Sequence, residues 1–313
     1  MVRISALLVV SALVPACALT GHPGRPSALG QRARSADLFA VIDQPGPVTV
    51  ETINAADWAV DRSGLIDLKD ERAKRLGDGP EPIQVYFHVI RHPTRGTFIV
   101  DTGVERALRD DRAHAAIRGF IARFMHLERM QIHVALGDWL AQHHIDGVML
   151  THLHLDHVSG LPDVPRGTPI YAGPGEMKAR SFQNAFVRSS IDRAFAGQET
   201  ISEWSFSPDP DGRFAGVIDV FGDGSLWAIA VPGHTPGSTA YLARTPDGPV
   251  LLTGDTCHTA WGWEHDVAPG SFTADHRANA VSLARLRRLV AEHPAIQVRL
   301  GHQTLGAATR AAR

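Results

Sequence analysis

The sequence has little cysteine, no excess of basic residues and no long apolar run. Two cysteines in 313 residues cannot build a disulfide framework, which excludes a small stapled secreted domain. Lys and Arg total 31 against 33 Asp and Glu, a net charge of −2, so nucleic acid is not an expected partner. A hydrophobic content of 44% excludes a disordered chain. Histidine, in contrast, is abundant, with 17 residues that are partly clustered.

The N-terminus has the pattern of an export signal. Arg3 precedes an apolar run over Ile4–Val14, which is too short for a membrane-spanning helix. Ala16 and Ala18 then form an A-x-A cleavage pattern. This predicts a signal peptide over residues 1–18 and a mature protein that is periplasmic or secreted.

A competing interpretation makes the protein a lipoprotein. Residues 14–17 (Val-Pro-Ala-Cys) form a loose lipobox, so that the signal would end before Cys17. A lipid on Cys17 would then be the only membrane contact. Residues 19–36 are rich in Gly, Pro, Ser and Arg without periodicity, which is typical of a flexible tether. Residues 37–313 are expected to form a single domain.

Within that domain, short strand patterns alternate with helical patterns, and no internal repeat is visible. The spacing of apolar residues predicts a helix over Ala107–His126 and an amphipathic helix over Asp275–Glu292, which stops before Pro294. Two strand-rich halves, each with helices, favour an α/β fold built as a layered sandwich.

Metal-binding residue types are concentrated directly after a predicted buried strand at residues 147–151. Four of them occupy six positions in the pattern His-x-His-x-Asp-His, namely His152, His154, Asp156 and His157. Imidazole nitrogen and carboxylate oxygen are ligands that zinc accepts. Because four ligands so close in sequence cannot easily all point at one ion, a site for two divalent ions is the simpler interpretation. Zinc is the expected metal, with manganese, iron or cobalt as alternatives.

Three further candidates each follow a predicted strand. They are His234 in Pro-Gly-His-Thr-Pro-Gly, Asp255 in Thr-Gly-Asp and His302 in Leu-Gly-His. A single histidine after a glycine is more often a loop residue than a ligand. The prediction of a metal site therefore rests on the whole set.

Together these motifs resemble the metallo-β-lactamase superfamily, over roughly residues 84–303. The Val-Asp-Thr-Gly sequence at 100–103 is similar to an early strand end of that family. The resemblance implies an αββα sandwich with the metals at one edge of its two sheets, and places Asp101 beneath the site, where it orients ligand loops. It implies one ion bound by His152, His154 and His234, a second ion bound by Asp156, His157 and His302, and Asp255 as a bridge between them.

Within the superfamily, the segment around His234 and the bridging Asp255 look most like the N-acyl-homoserine lactonases. Those enzymes have a tyrosine three positions after the bridging aspartate, and it helps to bind the lactone carbonyl. This sequence has His258 there. We expect His258 to be a catalytic residue whose imidazole donates a hydrogen bond to the substrate carbonyl.

The resemblance thus predicts a hydrolase in which a metal-bridged hydroxide attacks a carbonyl carbon. Asp156 and Asp255 would hold the water and transfer its proton. A small-molecule ester or lactone is the first expected substrate, with thioesters, β-lactams and organophosphates as alternatives. Asp255 argues against β-lactams, because true β-lactam hydrolases usually lack this bridge. A non-catalytic envelope binding protein is the alternative from another class, although such a protein is expected to have lost a ligand.

Overall fold

The structure, a computed structural model, describes residues 17–181 and 184–305. The predicted export signal lies almost entirely outside these ranges, in residues 1–16. No helix within the two described ranges is long and apolar enough to cross a membrane.

The described residues form short strands and helices that alternate along the chain. The strands are β1 Cys17–Ala18, β2 Gly24–Pro26, β3 Gln31–Ala33, β4 Thr49–Asp61, β5 Pro80–His92, β6 Gly96–Val100, β7 Gln131–Ile132, β8 Gly147–Met149, β9 Ile170–Ala172, β10 Arg180–Ser181, β11 Ile201–Glu203, β12 Val217–Asp219, β13 Leu226–Ala230, β14 Thr239–Thr245, β15 Gly248–Leu252 and β16 Gln297–Arg299. The helices are α1 Ser35–Phe39, α2 Arg62–Leu65, α3 Arg106–Asp110, α4 Gly119–Phe124, α5 Leu136–Leu140, α6 Leu155–Val158, α7 Asn184–Ala194, α8 Ala260–His265 and α9 His276–Glu292.

Two sheets carry the fold. The larger has eight strands in the order β2-β11-β9-β8-β6-β5-β4-β7, and the smaller has six in the order β16-β15-β14-β13-β12-β3. The 13-residue strands β4 and β5 form a long antiparallel pair, with a register shift between Asn54 and Ala56. β1 and β10 form a separate small pair.

Side chains that alternate along the strands define four layers. On β5, Val85 and Phe87 pack with the helices outside the larger sheet, whereas Ile90 packs between the two sheets. On β14, Leu242 packs with the apolar face of α9, and Tyr241 points the other way, between the sheets. This period of two along each strand buries both faces of each sheet. The resulting order, helices–sheet–sheet–helices, is the αββα sandwich that was predicted.

The prediction of a flexible tether over residues 19–36 is wrong. Strand β2 pairs in parallel with β11 at the edge of the larger sheet, and β3 pairs antiparallel with β12 at the edge of the smaller one. Leu19 is buried, and its N–H donates to the carbonyl of Ala179 at 3.0 Å. Backbone pairing with existing sheet edges orders this segment, and such pairing requires no apolar periodicity in the segment itself.

The helix predicted over residues 107–126 is interrupted. α3 ends at Asp110 and α4 begins at Gly119, whose φ of +64° is a left-handed conformation that favours glycine. Ala115 and Ile117, between the two helices, are buried in the core. The last predicted helix is confirmed as α9, with Asp275 as its N-cap.

Candidate metal centre

Five strands leave their sheets at one edge of the sandwich. β6 and β8 are parallel neighbours in the larger sheet. In the smaller sheet β13, β15 and β16 run in one direction, since β13 and β15 are both antiparallel to β14 and β16 is parallel to β15. The loops that follow these strands therefore meet. They carry Asp101, His152, His234, Asp255 and His302.

The remaining predicted ligands lie on the short helix that follows β8. His154 is the N-cap of α6, and Asp156 and His157 are in its first turn. His152 and His157 are buried, whereas His154 and Asp156 are partly exposed. His154 and Asp156 thus form the side of the cluster that is open to solvent.

The carboxylate of Asp255 lies at the centre of the cluster. Its Oδ2 is 3.6 Å from Nε2 of His152, 3.4 Å from Nε2 of His234 and 3.3 Å from Nε2 of His302. Nε2 of His157 is also 3.3 Å away. Imidazole nitrogens from three loops and from α6 therefore surround one carboxylate oxygen, an arrangement that fits the predicted bridging role.

Two groups of side chains share Asp255. The histidine group consists of His152, His154 and His234, and the acidic group consists of Asp156, His157 and His302. In the histidine group, Nδ1 of His154 is 2.8 Å from Nε2 of His234. In the acidic group, Oδ2 of Asp156 is 3.3 Å from Nε2 of His302. The structure therefore brings all seven predicted residues together, in the two sets that the resemblance implied.

The side chains fit divalent cations. Nε2 of His152, Nε2 of His157 and Oδ1 of Asp255 are buried and make no hydrogen bond to any residue in the described ranges. Buried polar atoms are rarely left in this state without a partner. Imidazole nitrogens and carboxylate oxygens that converge without protein partners form a donor set for divalent metal ions.

Burial also sets the charge of the cluster. It lowers the pKa of His152 and His234 well below the usual range, and that of His154 to about 4, so these imidazoles are neutral and keep a lone pair for a metal ion. Burial alone would raise the pKa of the Asp255 carboxyl. The surrounding imidazoles, His302 foremost, nevertheless hold that pKa well below its usual value, so Asp255 is a carboxylate.

Asp101 fixes the orientation of His157. Its Oδ2 is 2.8 Å from Nδ1 of His157, and its Oδ1 accepts the N–H of Thr151 at 2.8 Å. Because a carboxylate accepts the Nδ1 proton, Nε2 is the nitrogen that faces the centre. Burial alone would lower the pKa of His157, but the carboxylates of Asp255 and Asp101 raise it well above its usual value, so a metal ion would displace a proton from Nε2. Asp101 holds this position with φ +58°, a left-handed conformation that aspartate tolerates better than most residues.

A second buried carboxylate, Glu176, was missed by the sequence analysis. Its two oxygens accept the N–H of Leu153 at 3.1 Å, the N–H of Gly237 at 2.7 Å and the hydroxyl of Thr235 at 2.5 Å. Leu153 lies between two ligands, and Thr235 follows His234. Glu176 therefore ties together the two loops that form the histidine group. Glu176 lies in a loop with no motif or periodicity that would identify it.

Gly301 allows the carboxylate of Asp255 to lie against the backbone before His302. A Cβ at this glycine would come within 2.1 Å of Oδ1 of Asp255. A side chain there would have to displace the central carboxylate, so the Gly-His sequence at 301–302 is part of the site.

His258 lies inside the cluster. It is 1% exposed, with Nε2 3.0 Å from Oδ2 of Asp255 and Nδ1 3.1 Å from the carbonyl oxygen of Leu65. Both ring nitrogens thus have partners within the protein. The role of His258 as a donor to the substrate carbonyl stays a prediction.

Comparison with proteins of known activity gives relatives over most of the chain. An N-acyl homoserine lactonase AttM of Azorhizobium caulinodans is 30% identical over 258 residues, covering 77% of this chain and 90% of the relative. The AttM lactonase of Agrobacterium fabrum is 30% identical over 256 residues, with the same coverage.

Solved structures agree with this relationship at the level of the fold. The crystal structure of a quorum-quenching N-acyl homoserine lactone lactonase superposes with a TM-score of 0.58 at 20% identity, covering 83% of this chain and 93% of the other. The model of the metallo-beta-lactamase superfamily matches residues 80–302, which include every candidate ligand. The chain belongs to the metallo-beta-lactamase superfamily.

Proposed function

We propose that this protein is a metal-dependent hydrolase that opens lactones, and that it uses two divalent ions, with zinc as the expected metal. The observation that carries the proposal is the arrangement of the histidine group and the acidic group around Oδ2 of Asp255. Relatives named as N-acyl homoserine lactonases, which align over 77% of the chain, support the choice of a lactone.

The residues suggest how the reaction would proceed. Divalent ions in the two groups would polarise the substrate carbonyl and lower the pKa of a water molecule to about 7. The side chain of Asp255 is 3% exposed and that of Asp156 is 17% exposed. Asp255 would therefore hold the two groups together, while the more open Asp156 would accept the proton of the attacking water and return it to the leaving alkoxide. The product is the ring-opened hydroxy acid.

Phe272 provides an apolar surface beside the cluster. It is 47% exposed, and its ring lies against Gly64, where a Cβ would come within 2.2 Å of the ring. The hydroxyl of the next residue, Thr273, is 3.2 Å from Nδ1 of His234. An exposed aromatic side chain next to a ligand loop supports a substrate with an apolar portion near the reacting carbonyl.

A substrate panel tests the proposal. The signal-free protein, reconstituted with zinc or manganese, is assayed against lactones of several acyl lengths, thioesters, a chromogenic β-lactam and aryl phosphotriesters. We expect ring opening of lactones, measured as the release of one proton per molecule at neutral pH, and a higher KM for long-chain lactones in Phe272→Ser. Faster turnover of another class would replace the lactone assignment.

The same panel tests whether the protein is an enzyme. Asp255→Asn is the matched control. Asparagine has nearly the same shape as aspartate, but its side chain carries no negative charge and cannot hold two cations equally well. Binding without turnover of any substrate in the metal-loaded protein would favour a non-catalytic binding protein on this scaffold.

We also propose that the protein is exported. The support is the sequence of residues 1–18, with the alternative of a lipid on Cys17. Since β2 and β3 are paired in the two sheets, such a lipid would hold the domain close to a membrane surface rather than on a flexible tether. Cell fractionation with N-terminal sequencing tests export. A cytoplasmic protein that still begins at Met1 contradicts it, and palmitate labelling that is lost in Cys17→Ala selects the lipoprotein.

A further inference from the structure

His258 is a further histidine at the metal centre, and the ligand set that the family resemblance implies does not include it. It follows Asp255 by three positions and lies after the 3₁₀ turn at residues 254–256. Its side chain is as buried as those of the candidate ligands, with 1% exposure against 3% for His302. Such burial leaves little access for a substrate.

The partner of Nδ1 decides how the His258 ring is protonated. Nδ1 is 3.1 Å from the carbonyl oxygen of Leu65, and a carbonyl oxygen only accepts hydrogen bonds. Nδ1 therefore carries a proton. In the neutral ring, Nε2 then has a lone pair that points at Oδ2 of Asp255, 3.0 Å away. At this distance either a metal ion bound to both atoms or a proton on Nε2 accounts for the contact, and the experiment below distinguishes the two.

His302 has the same arrangement. Its Nδ1 is 2.9 Å from the carbonyl oxygen of Gln84, and its Nε2 is 3.3 Å from Oδ2 of Asp255. The backbones of the two histidines are also joined, because the N–H of His302 donates to the carbonyl of His258 at 3.1 Å. The two rings lie side by side with centroids 5.5 Å apart. A backbone carbonyl that fixes Nδ1–H and turns Nε2 toward the centre is the usual support of a metal-bound histidine.

We propose that His258 is a ligand, through Nε2, of a divalent ion that it shares with Asp255 and His302. Ligand atoms of Asp255, His258 and His302 lie within 4.8 Å of one another, close enough to bind one ion. The proposal rests on the proposed function in one respect, namely that divalent ions bind at this centre. The lactonase pattern has a tyrosine at this position, so this chain would have one more imidazole ligand at the metal centre, on the side of His302.

Nuclear magnetic resonance of the full protein tests the proposal directly. The protein is labelled with ¹⁵N-histidine and loaded with ¹¹³Cd²⁺, and one-bond coupling between cadmium and each imidazole nitrogen is recorded. We expect coupling at Nε2 of His258 to the same cadmium that couples to Nε2 of His302. Coupling at His302 without coupling at His258, with both nitrogens of His258 protonated, overturns the proposal and makes His258 a charged partner of Asp255. If no histidine couples, the metal centre itself fails, and with it the proposed function.

A pair of variants gives an independent measurement. In His258→Asn the amide N–H₂ takes the place of Nδ1–H and keeps the bond to Leu65, while the Nε2 position is lost. His88→Asn is the matched control, since His88 is buried nearby with Nδ1 3.0 Å from the hydroxyl of Thr52. Loss of an outer hydrogen bond costs about 10–100-fold in metal affinity.

We expect His258→Asn to lower the affinity for one of the two zinc ions by more than about 10–100-fold, as measured by competition with a chelator. The visible absorption spectrum of the cobalt form should also change. His88→Asn should leave both unchanged. Equal affinities and identical cobalt spectra in His258→Asn and wild type would contradict a ligand role.

Discussion

The histidine group and the acidic group face the same carboxylate but are held by different partners. In the histidine group, Nδ1 of His152 and Nδ1 of His234 lie 3.1 and 3.2 Å from threonine hydroxyls. In the acidic group, Nδ1 of His157 faces the carboxylate of Asp101, and Nδ1 of His302 faces a backbone carbonyl. Carboxylate and carbonyl acceptors make the opposite ring nitrogen a stronger ligand than a hydroxyl does.

The charges of the two groups differ as well. Apart from the shared Asp255, the histidine group offers only neutral imidazoles, whereas the acidic group includes the carboxylate of Asp156. An anionic ligand adds Coulomb attraction for a dication in a buried site. Against burial, Asp255 raises the pKa of both His157 and His302, so a metal ion must displace protons from the acidic group. We therefore expect the acidic group to bind its ion more tightly than the histidine group once the pH is high enough to remove these protons.

The largest expected effect comes from the residue that both groups share. Asp255→Ala removes the central carboxylate, so we expect both ions to be lost together and kcat/KM to fall by about 10³-fold or more, since metal activation supplies several kcal/mol. Metal analysis and steady-state kinetics measure the two effects. The exposed Asp247, in the turn before β15, provides the control Asp247→Ala. Loss of only one ion from Asp255→Ala would mean that the groups bind independently.

A smaller and selective effect is expected at Asp101. Asp101→Asn keeps the left-handed backbone, which asparagine also tolerates, but removes the charge that faces Nδ1 of His157. The affinity of the acidic group should fall by about 10–100-fold, with the histidine group unchanged. Zinc titration with a chelator would resolve the two classes of site. An equal loss in both classes would show that Asp101 supports the whole loop rather than one group.

The contrast between Asp101 and Glu176 also shows what the sequence could reveal. Asp101 follows a strand in a recognisable Asp-Thr-Gly pattern, and four ligands lie within one six-residue segment, so both could be predicted. Glu176 reaches its partners only because its loop lies against the loop that follows His234. The two loops are so close that a Cβ at Gly173 would come within 1.6 Å of the carbonyl oxygen of Gly237. A contact between residues 61 positions apart leaves no local pattern in one sequence.

The order of the N-terminal segment was also beyond sequence reasoning. Residues 19–36 have the composition of a linker, yet β2 and β3 extend one sheet each. What orders this segment is its pairing with the edges of β11 and β12, which lie far along the chain, so the sequence of the segment itself does not reveal it. The left-handed conformation at Gly119, where α4 begins, has a local cause and could have been foreseen, but α3 already ends at Asp110.

A substitution of Glu176 tests the histidine group, as the substitution of Asp101 tests the acidic group. Glu176→Gln keeps the size of the side chain but replaces one acceptor oxygen by an N–H₂, which cannot accept the N–H of Leu153 or of Gly237. We expect a loss of about 1–3 kcal/mol in unfolding free energy, the cost of a buried unsatisfied donor. Metal affinity should fall at the histidine group. Denaturant unfolding of the metal-free protein and zinc titration measure the two. A drop confined to the acidic group would contradict the division proposed here.

Glu105, which belongs to neither group, makes the stability of the protein depend on pH. Its contribution has to be measured separately before metal affinities are compared across pH. Burial raises the pKa of Glu105 from 4.5 to about 7, and its carboxylate accepts the N–H of Ala116 at 2.7 Å. Between these two values the folded protein binds more protons than the unfolded chain. Its stability is therefore greatest below about pH 4.5 for this group and falls as the pH rises through about 7.

Glu105→Gln keeps an acceptor for Ala116 and removes the titration. We expect the unfolding free energy of the variant, relative to wild type, to increase by about 2 kcal/mol from pH 5 to pH 8. Proton competition at the metal ligands is present in both proteins and cancels in this difference. Urea unfolding at a series of pH values gives the measurement. A difference that stays constant with pH would place Glu105 in a solvated environment.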